Sequence, residues 1–159
     1  MTSSHPVAHR VAVHLALSIL LIGVPFPTAR AQMKDTLSLT TRVTGARNTK
    51  GKIIISLFRD AEGFPGDASR IVRQQMVDVE PATMSGQVTF KDLPQGTFAV
   101  SVLHDENENG KMDKNFLGIP REGYGTSNNP GKKMRAPRFD EAKFELSETG
   151  QVVEIRLIY

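Results

Sequence analysis

Cysteine is absent from all 159 residues. The chain therefore has no thiol nucleophile, no thiolate metal site, no disulfide and no cysteine to carry a lipid. Helical periodicity is also scarce. Beyond residue 31 no window of a dozen residues keeps apolar positions at helical spacing, and Asp67 to Arg73 offers one turn at most. There is no G-x-S-x-G elbow, no phosphate-binding glycine loop and no dinucleotide fingerprint. Acidic residues are missing from the first 31 positions, whereas Arg10 and Arg30 lie there. Setting that segment aside leaves 18 of the 20 basic side chains against 17 acidic ones. No Lys/Arg-rich run remains to track a phosphate backbone, so no nucleic-acid partner is expected.

The opening segment reads as an export signal. Val11 to Val24 is an apolar stretch of fourteen residues, too short for a bilayer span, which needs about 20. Pro25 and Pro27 follow, and Ala29-Arg30-Ala31 supplies a small-x-small cleavage pattern. The expectation is a signal peptide over 1–31, cut after Ala31, and a periplasmic or secreted domain over 32–159 with no transmembrane segment. The competing reading is an uncleaved anchor. Without disulfides the mature domain relies on its core, and a chain of this length buries about two-thirds of its unfolded surface.

Alternation with period two dominates the remainder. It marks strands over Thr36 to Thr44, Lys52 to Arg59, Val72 to Val79, Gln87 to Phe90, Thr97 to His104, Glu141 to Leu146 and Val153 to Tyr159. The second carries apolar residues on both faces, as a central strand does. Gly45, Gly63-Phe64-Pro65-Gly66, Leu93-Pro94-Gln95-Gly96 and Glu148-Thr149-Gly150 separate them. Seven short strands point to an all-β, antiparallel Greek-key sandwich of immunoglobulin- or transthyretin-like type. The terminal aromatic at Tyr159 also fits the closing strand of a membrane barrel, but such strands need about 9–11 residues and the barrel at least about eight of them.

Asp105-x-Asn107-x-Asn109-Gly110-x-x-Asp113 has the oxygen spacing of a calcium loop. Residues at positions 1, 3 and 5 of a tight turn aim oxygens at one centre, Gly at position 6 permits the turn, and a carbonyl follows at position 7. The metal set is then Asp105, Asn107, Asn109, the Lys111 carbonyl and Asp113. Position 12, a bidentate Glu in an EF-hand, is Phe116. A further ligand has to come from Asn115, Glu122, Asp140 or Glu141. Two firm carboxylates imply weak binding, on the order of 10⁻⁴–10⁻³ M. The alternative is a metal-free polar turn, for which Asn-Gly is well suited.

His104 is the one histidine beyond residue 31. It falls in phase with Phe98, Val100 and Val102, which suits a buried or rim residue; a catalytic base would need a nucleophile motif beside it. Residues 116–130 read as a long glycine-rich loop. Either it presents Phe116, Arg121, Glu122, Tyr124 and Asn128 to a small-molecule or protein ligand, or its aromatics cap the open end of the sandwich.

Leu93-Pro94-x-Gly96-x-Phe98-Ala99-Val100, the 104–113 block and Asn115-Phe116-Leu117-Gly118-Ile119-Pro120-x-Glu122-Gly123-Tyr124-Gly125-x-Ser127-Asn128 together resemble the bacterial family known as domain of unknown function 2141. The resemblance covers roughly residues 36–158 and implies an exported β-sandwich of transthyretin- or carboxypeptidase-regulatory-like type. It implies no activity. Three functional readings follow: a non-catalytic binding or structural module with a calcium loop, a small periplasmic hydrolase using His104 and a cation-activated water, and a carrier holding an apolar ligand between its sheets.

Overall fold

The computed structural model describes Met1, residues 36–131 and residues 135–159. The chain divides into a unit of Met1–Gln32 and a unit of Met33–Tyr159, and every element below lies in the second. The expected signal peptide and its cleavage point lie outside the described residues.

Among the described residues eight strands form two sheets, one strand more than the alternation marks out. The smaller sheet has the order β4 (Ser85–Leu93), β1 (Leu37–Thr44), β8 (Gln151–Arg156). The larger has the order β3 (Arg73–Val77), β2 (Lys52–Phe58), β5 (Gly96–Asp105), β6 (Gly123–Thr126), with β7 (Phe144–Leu146) pairing with the first residues of β5. The pairing is antiparallel except between β1 and β8, which run parallel from Leu39 opposite Gln151 to Thr44 opposite Arg156. No helix among the described residues is long and apolar enough to cross a membrane.

The period-two pattern explains the layers. Leu39 and Val43 of β1, Val88 and Phe90 of β4 and Ile155 of β8 face Ile53, Ile55 and Leu57 of β2 and Phe98, Val100 and Val102 of β5. Phe90, Phe98 and Leu39 are at most 2% exposed, and burial of each contributes about 1.5–3 kcal/mol relative to exposure. These side chains fill the space between the sheets, where the carrier reading places its ligand.

Two local departures from the sequence pattern shape the outer face of the larger sheet. The expected strand over 141–146 is broken: Glu141 and Ala142 close a short helix, α1 (Phe139–Ala142), and only Phe144–Leu146 is extended. The i, i+3 pair Phe139 and Ala142 packs on outer-face residues Phe58 and Ala99, with Phe64 and Ile71 beside them. Phe64 stands edge-on to both Phe58 (5.3 Å) and Phe139 (5.8 Å). Inside the expected 116–130 loop, Gly-Tyr-Gly-Thr forms β6. Its glycines are there for close approach, since a Cβ on Gly123 would lie 2.5 Å from the Tyr159 ring and one on Gly125 would lie 2.7 Å from Ile155 Cγ2.

Candidate functional site

The strand register aligns outer-face residues into two rows across the larger sheet. Gln74, Ser56, Ser101 and Thr126 are successive partners on β3, β2, β5 and β6. One step along, Met76, Ile54, Leu103 and Tyr124 are partners in the same way. The first row is polar and the second apolar, and all of them except Met76 floor a groove of about 920 Å³. Its walls come from residues 65–71, 110–120 and 135–137. The packed cluster of Phe58, Ala99 and Phe139 covers the outer face beyond the polar row.

The polar row is mostly satisfied. Gln74 donates to Ser56 Oγ at 2.9 Å, and Ser101 Oγ donates to the Pro65 carbonyl at 2.8 Å. Thr126 is the exception: it is 3% exposed, and its Oγ1 has no hydrogen-bond partner. The charged residues lining the groove are Lys111, Lys114 and Arg135, with no carboxylate or imidazole among the lining residues.

The 105–113 loop forms one end of this groove through Gly110, Lys111 and Met112. Two buried carboxylates hold it. Asp105, 2% exposed, accepts the N–H groups of Asn109 (3.1 Å) and Gly110 (2.7 Å). Glu122, 4% exposed, accepts those of Glu106 (2.9 Å) and Asp113 (2.9 Å). Gly110 has a φ of +73°, the left-handed conformation that its place in the spacing demands. The oxygens of Asn107 and Asn109 each accept a backbone N–H two residues on, at 3.2 and 2.8 Å. Their amide nitrogens both donate to Asp113, at 2.7 and 3.1 Å.

The metal set expected from the sequence is thus folded into one turn, with each named side-chain oxygen already accepting an N–H. No group of three or more His, Asp or Glu among the described residues is arranged to hold a metal. Carboxylate and carboxamide oxygens keep further lone pairs, so a hard cation could add to the Asp105, Asn107 and Asn109 oxygens if the amide donors swing off Asp113. Of the further donors, Glu122 touches the loop. Asn115 accepts the Leu117 and Ile119 N–H groups, Asp140 pairs with Lys143, and Glu141 pairs with Arg135.

The expected ligand-loop residues separate. Tyr124 lines the groove, whereas Phe116 is 94% exposed and outside its lining. The Arg121 carbonyl accepts from Arg47 Nη2 at 3.0 Å, Glu122 anchors the loop, and Asn128 donates to the Lys143 carbonyl at 2.9 Å. The neighbouring Leu117 and Ile119, rather than Phe116, line the wall.

His104 points into the sandwich and is fully buried. Its Nε2 lies 2.9 Å from the Lys50 carbonyl, which can only accept, so this nitrogen carries a proton. Its Nδ1 lies 2.7 Å from Tyr159 Oη, which in turn accepts the Arg47 N–H at 3.0 Å. Burial pushes the Tyr159 phenol above its ordinary range, against the Arg47 N–H, which lowers it. Arg47, which the sequence did not single out, sits 4.5 Å over the Tyr159 ring and pairs with Glu106 at 2.7 Å.

A bacterial family described as "Uncharacterized protein conserved in bacteria (DUF2141)" matches residues 41–154. No curated protein and no solved structure matches the chain.

Proposed function

We propose that this chain, which belongs to the uncharacterised bacterial family DUF2141, is an exported, non-catalytic binding module that holds its ligand in the outer-face groove. The observation that carries this reading is the pair of registered rows. They set a floor half polar and half apolar beneath three loop walls, with a volume inside the roughly 300–1,000 Å³ range of small-molecule sites. A ligand between the sheets is disfavoured because that space is packed. A hydrolytic role through His104 is disfavoured because both ring nitrogens are engaged inside the core and no carboxylate, imidazole or thiol is among the groove's lining residues. Export rests on the 1–31 pattern alone.

The 105–113 turn belongs to this reading as a weak calcium site that sets the position of the groove's end. Its support is the convergence of Asn107, Asn109 and Asp113 and the loop's share in the groove lining.

Amide chemical-shift mapping with a library of neutral, cationic and anionic fragments tests the groove. Shifts should gather at Ser56, Ser101, Leu103, Tyr124 and Thr126 and spare the β4-β1-β8 sheet. Hits scattered over both sheets would overturn the reading. So would turnover of ester, glycosidic or phosphate probes that is lost in His104→Ala with the fold intact. Intact-mass analysis of protein from the native envelope should begin at Gln32; a chain that keeps Met1 and partitions with membranes would remove the export element.

A further inference from the structure

The groove has a charge and polarity pattern that selects among small ligands. Its charged lining residues are all cationic. Arg135 is already committed, donating through both terminal nitrogens to the two Glu141 oxygens at 2.9 and 2.7 Å. Lys111 and Lys114 are not: among the described residues neither ammonium group has an ion pair or a side-chain hydrogen bond, unlike Lys52 with Asp78 and Lys143 with Asp140. Two unneutralised ammonium groups beside an apolar surface attract an anion, and because both are exposed the attraction weakens as salt is added.

The rest of the groove offers a richly hydroxylated anion few partners. Ser101 gives its hydroxyl proton to the Pro65 carbonyl and Ser56 Oγ accepts from Gln74, leaving Thr126 as the hydroxyl of the row with no partner. A sugar phosphate would find few groups to replace its water. The apolar row offers the opposite chemistry: Ile54, Leu103 and Tyr124 lie under a wall whose Leu117 and Ile119 are 67% and 48% exposed. Apolar side chains left open on a concave face gain by being covered.

Resting on the reading of this groove as the ligand site, we infer that its occupant is a single-tailed anionic amphiphile, an alkyl chain ending in a carboxylate. The chain lies along Ile54, Leu103 and Tyr124 against Leu117 and Ile119. The carboxylate meets Lys111 and Lys114. The hairpin of residues 113–121 fixes this wall: Arg121 N–H donates to the Asp113 carbonyl at 2.8 Å, and Asn115 N–H donates to the Ile119 carbonyl at 2.9 Å. The wall that supplies the apolar cover therefore also carries Lys114, and Lys111 precedes it directly.

Isothermal titration of the protein, as purified from cells expressing residues 1–159, with dodecanoate and with dodecyltrimethylammonium below their micellar concentrations reads head-group selection at constant tail. Dodecanoate should bind one to one, at least about tenfold more tightly than the cationic amphiphile. The double variant Lys111→Gln/Lys114→Gln should weaken dodecanoate by about tenfold and erase that preference. Lys91→Gln, an exposed change on the other sheet, should leave it unchanged. Circular dichroism confirms that each variant is folded. Equal affinity for the two head groups, or undiminished dodecanoate binding by the double variant, overturns the inference. Binding to phosphatidylglycerol vesicles without binding of monomeric dodecanoate overturns it too, in favour of a membrane surface. If dodecanoate fails while neutral fragments still shift groove amides, the head-group inference falls and the groove reading stands. If no probe perturbs the groove, both fall.

Discussion

The Tyr159 hydroxyl lies 2.7 Å from Nδ1 of His104 and joins the last residue of the chain to the inner face of β5 across 55 positions of sequence. With Nε2–H given to the Lys50 carbonyl, Nδ1 is placed to accept a hydrogen bond from the Tyr159 hydroxyl, whose oxygen accepts the Arg47 N–H. The link closes one end of the sandwich, where Gly123 leaves the tyrosine ring its space.

Tyr159→Phe keeps the ring and removes the bridging hydroxyl. The buried Nδ1 then has no donor, at a cost of about 1–3 kcal/mol. Urea denaturation should show the loss as a lower midpoint with an unchanged slope. An unaltered midpoint would mean that the hydroxyl contributes nothing to closing the sandwich.

Glu106 gives a pH dependence with a defined sign. Burial raises its pKa, but hydrogen bonds from Asn48 and Arg47 outweigh that and hold the carboxyl below its ordinary 4.5. A folded-state pKa below the unfolded one stabilises the fold above pH 4.5, and the contribution fades as pH falls through the folded value. Arg47→Met should therefore lower stability at pH 7 by about 1 kcal/mol, solvent screening keeping the figure small. The gap to the native protein should narrow toward pH 3. A gap of constant size would assign the effect to packing over the Tyr159 ring instead of charge.

The calcium reading predicts linkage. A cation that binds the folded state alone adds RT ln(1 + [L]/Kd), about 1.4 kcal/mol at ten times Kd. Several millimolar calcium should raise the melting temperature over a chelator-treated sample at equal ionic strength, and magnesium should do less because it sheds water reluctantly. Asp105→Ala should melt lower even in chelator, because the Asn109 and Gly110 N–H groups lose their acceptor, and calcium should no longer raise it. Glu108→Ala should retain the calcium increment. Superimposable curves with calcium and chelator would leave the turn as the metal-free structure its hydrogen bonds already complete.

The sandwich was legible where one face is buried and the other is not. In β1 the inward Leu39, Thr41 and Val43 alternate with outward residues, and in β2 the apolar residues on both faces mark a strand covered on each side. β6 was not legible, because the glycines that admit Tyr159 and Ile155 erase any apolar period. The 141–146 segment misled because Ala142, Phe144 and Leu146 alternate as a strand would, whereas Ala142 instead ends the short helix that begins at Phe139. The groove was harder still. Ser56, Ser101 and Thr126 are ordinary outward residues of three separate segments, and only the register makes them neighbours. The Asp105 turn was visible because its ligand spacing is local, whereas Arg47, bound to Glu106 and Tyr159, depends on contacts far apart in sequence.

Thr41 offers the opposite test to Tyr159. It is fully buried on β1, between Leu39 and Val43 on the inward face, and its Oγ1 has no hydrogen-bond partner. A buried hydroxyl without a partner costs about 1–3 kcal/mol on mutational scales. Valine has nearly the same shape and the same β-branching, so it leaves strand preference and packing in place. Thr41→Val should therefore raise stability by about 1 kcal/mol, or about 3–5 °C in melting temperature for a domain of this size. Thr40, one residue away, is the matched control: its hydroxyl meets Thr89 Oγ1 across the strand pair at 3.0 Å, so Thr40→Val should bring no gain. Equal effects at the two positions would assign the gain to strand preference, which acts on both alike, and not to the missing bond of the buried Thr41 hydroxyl.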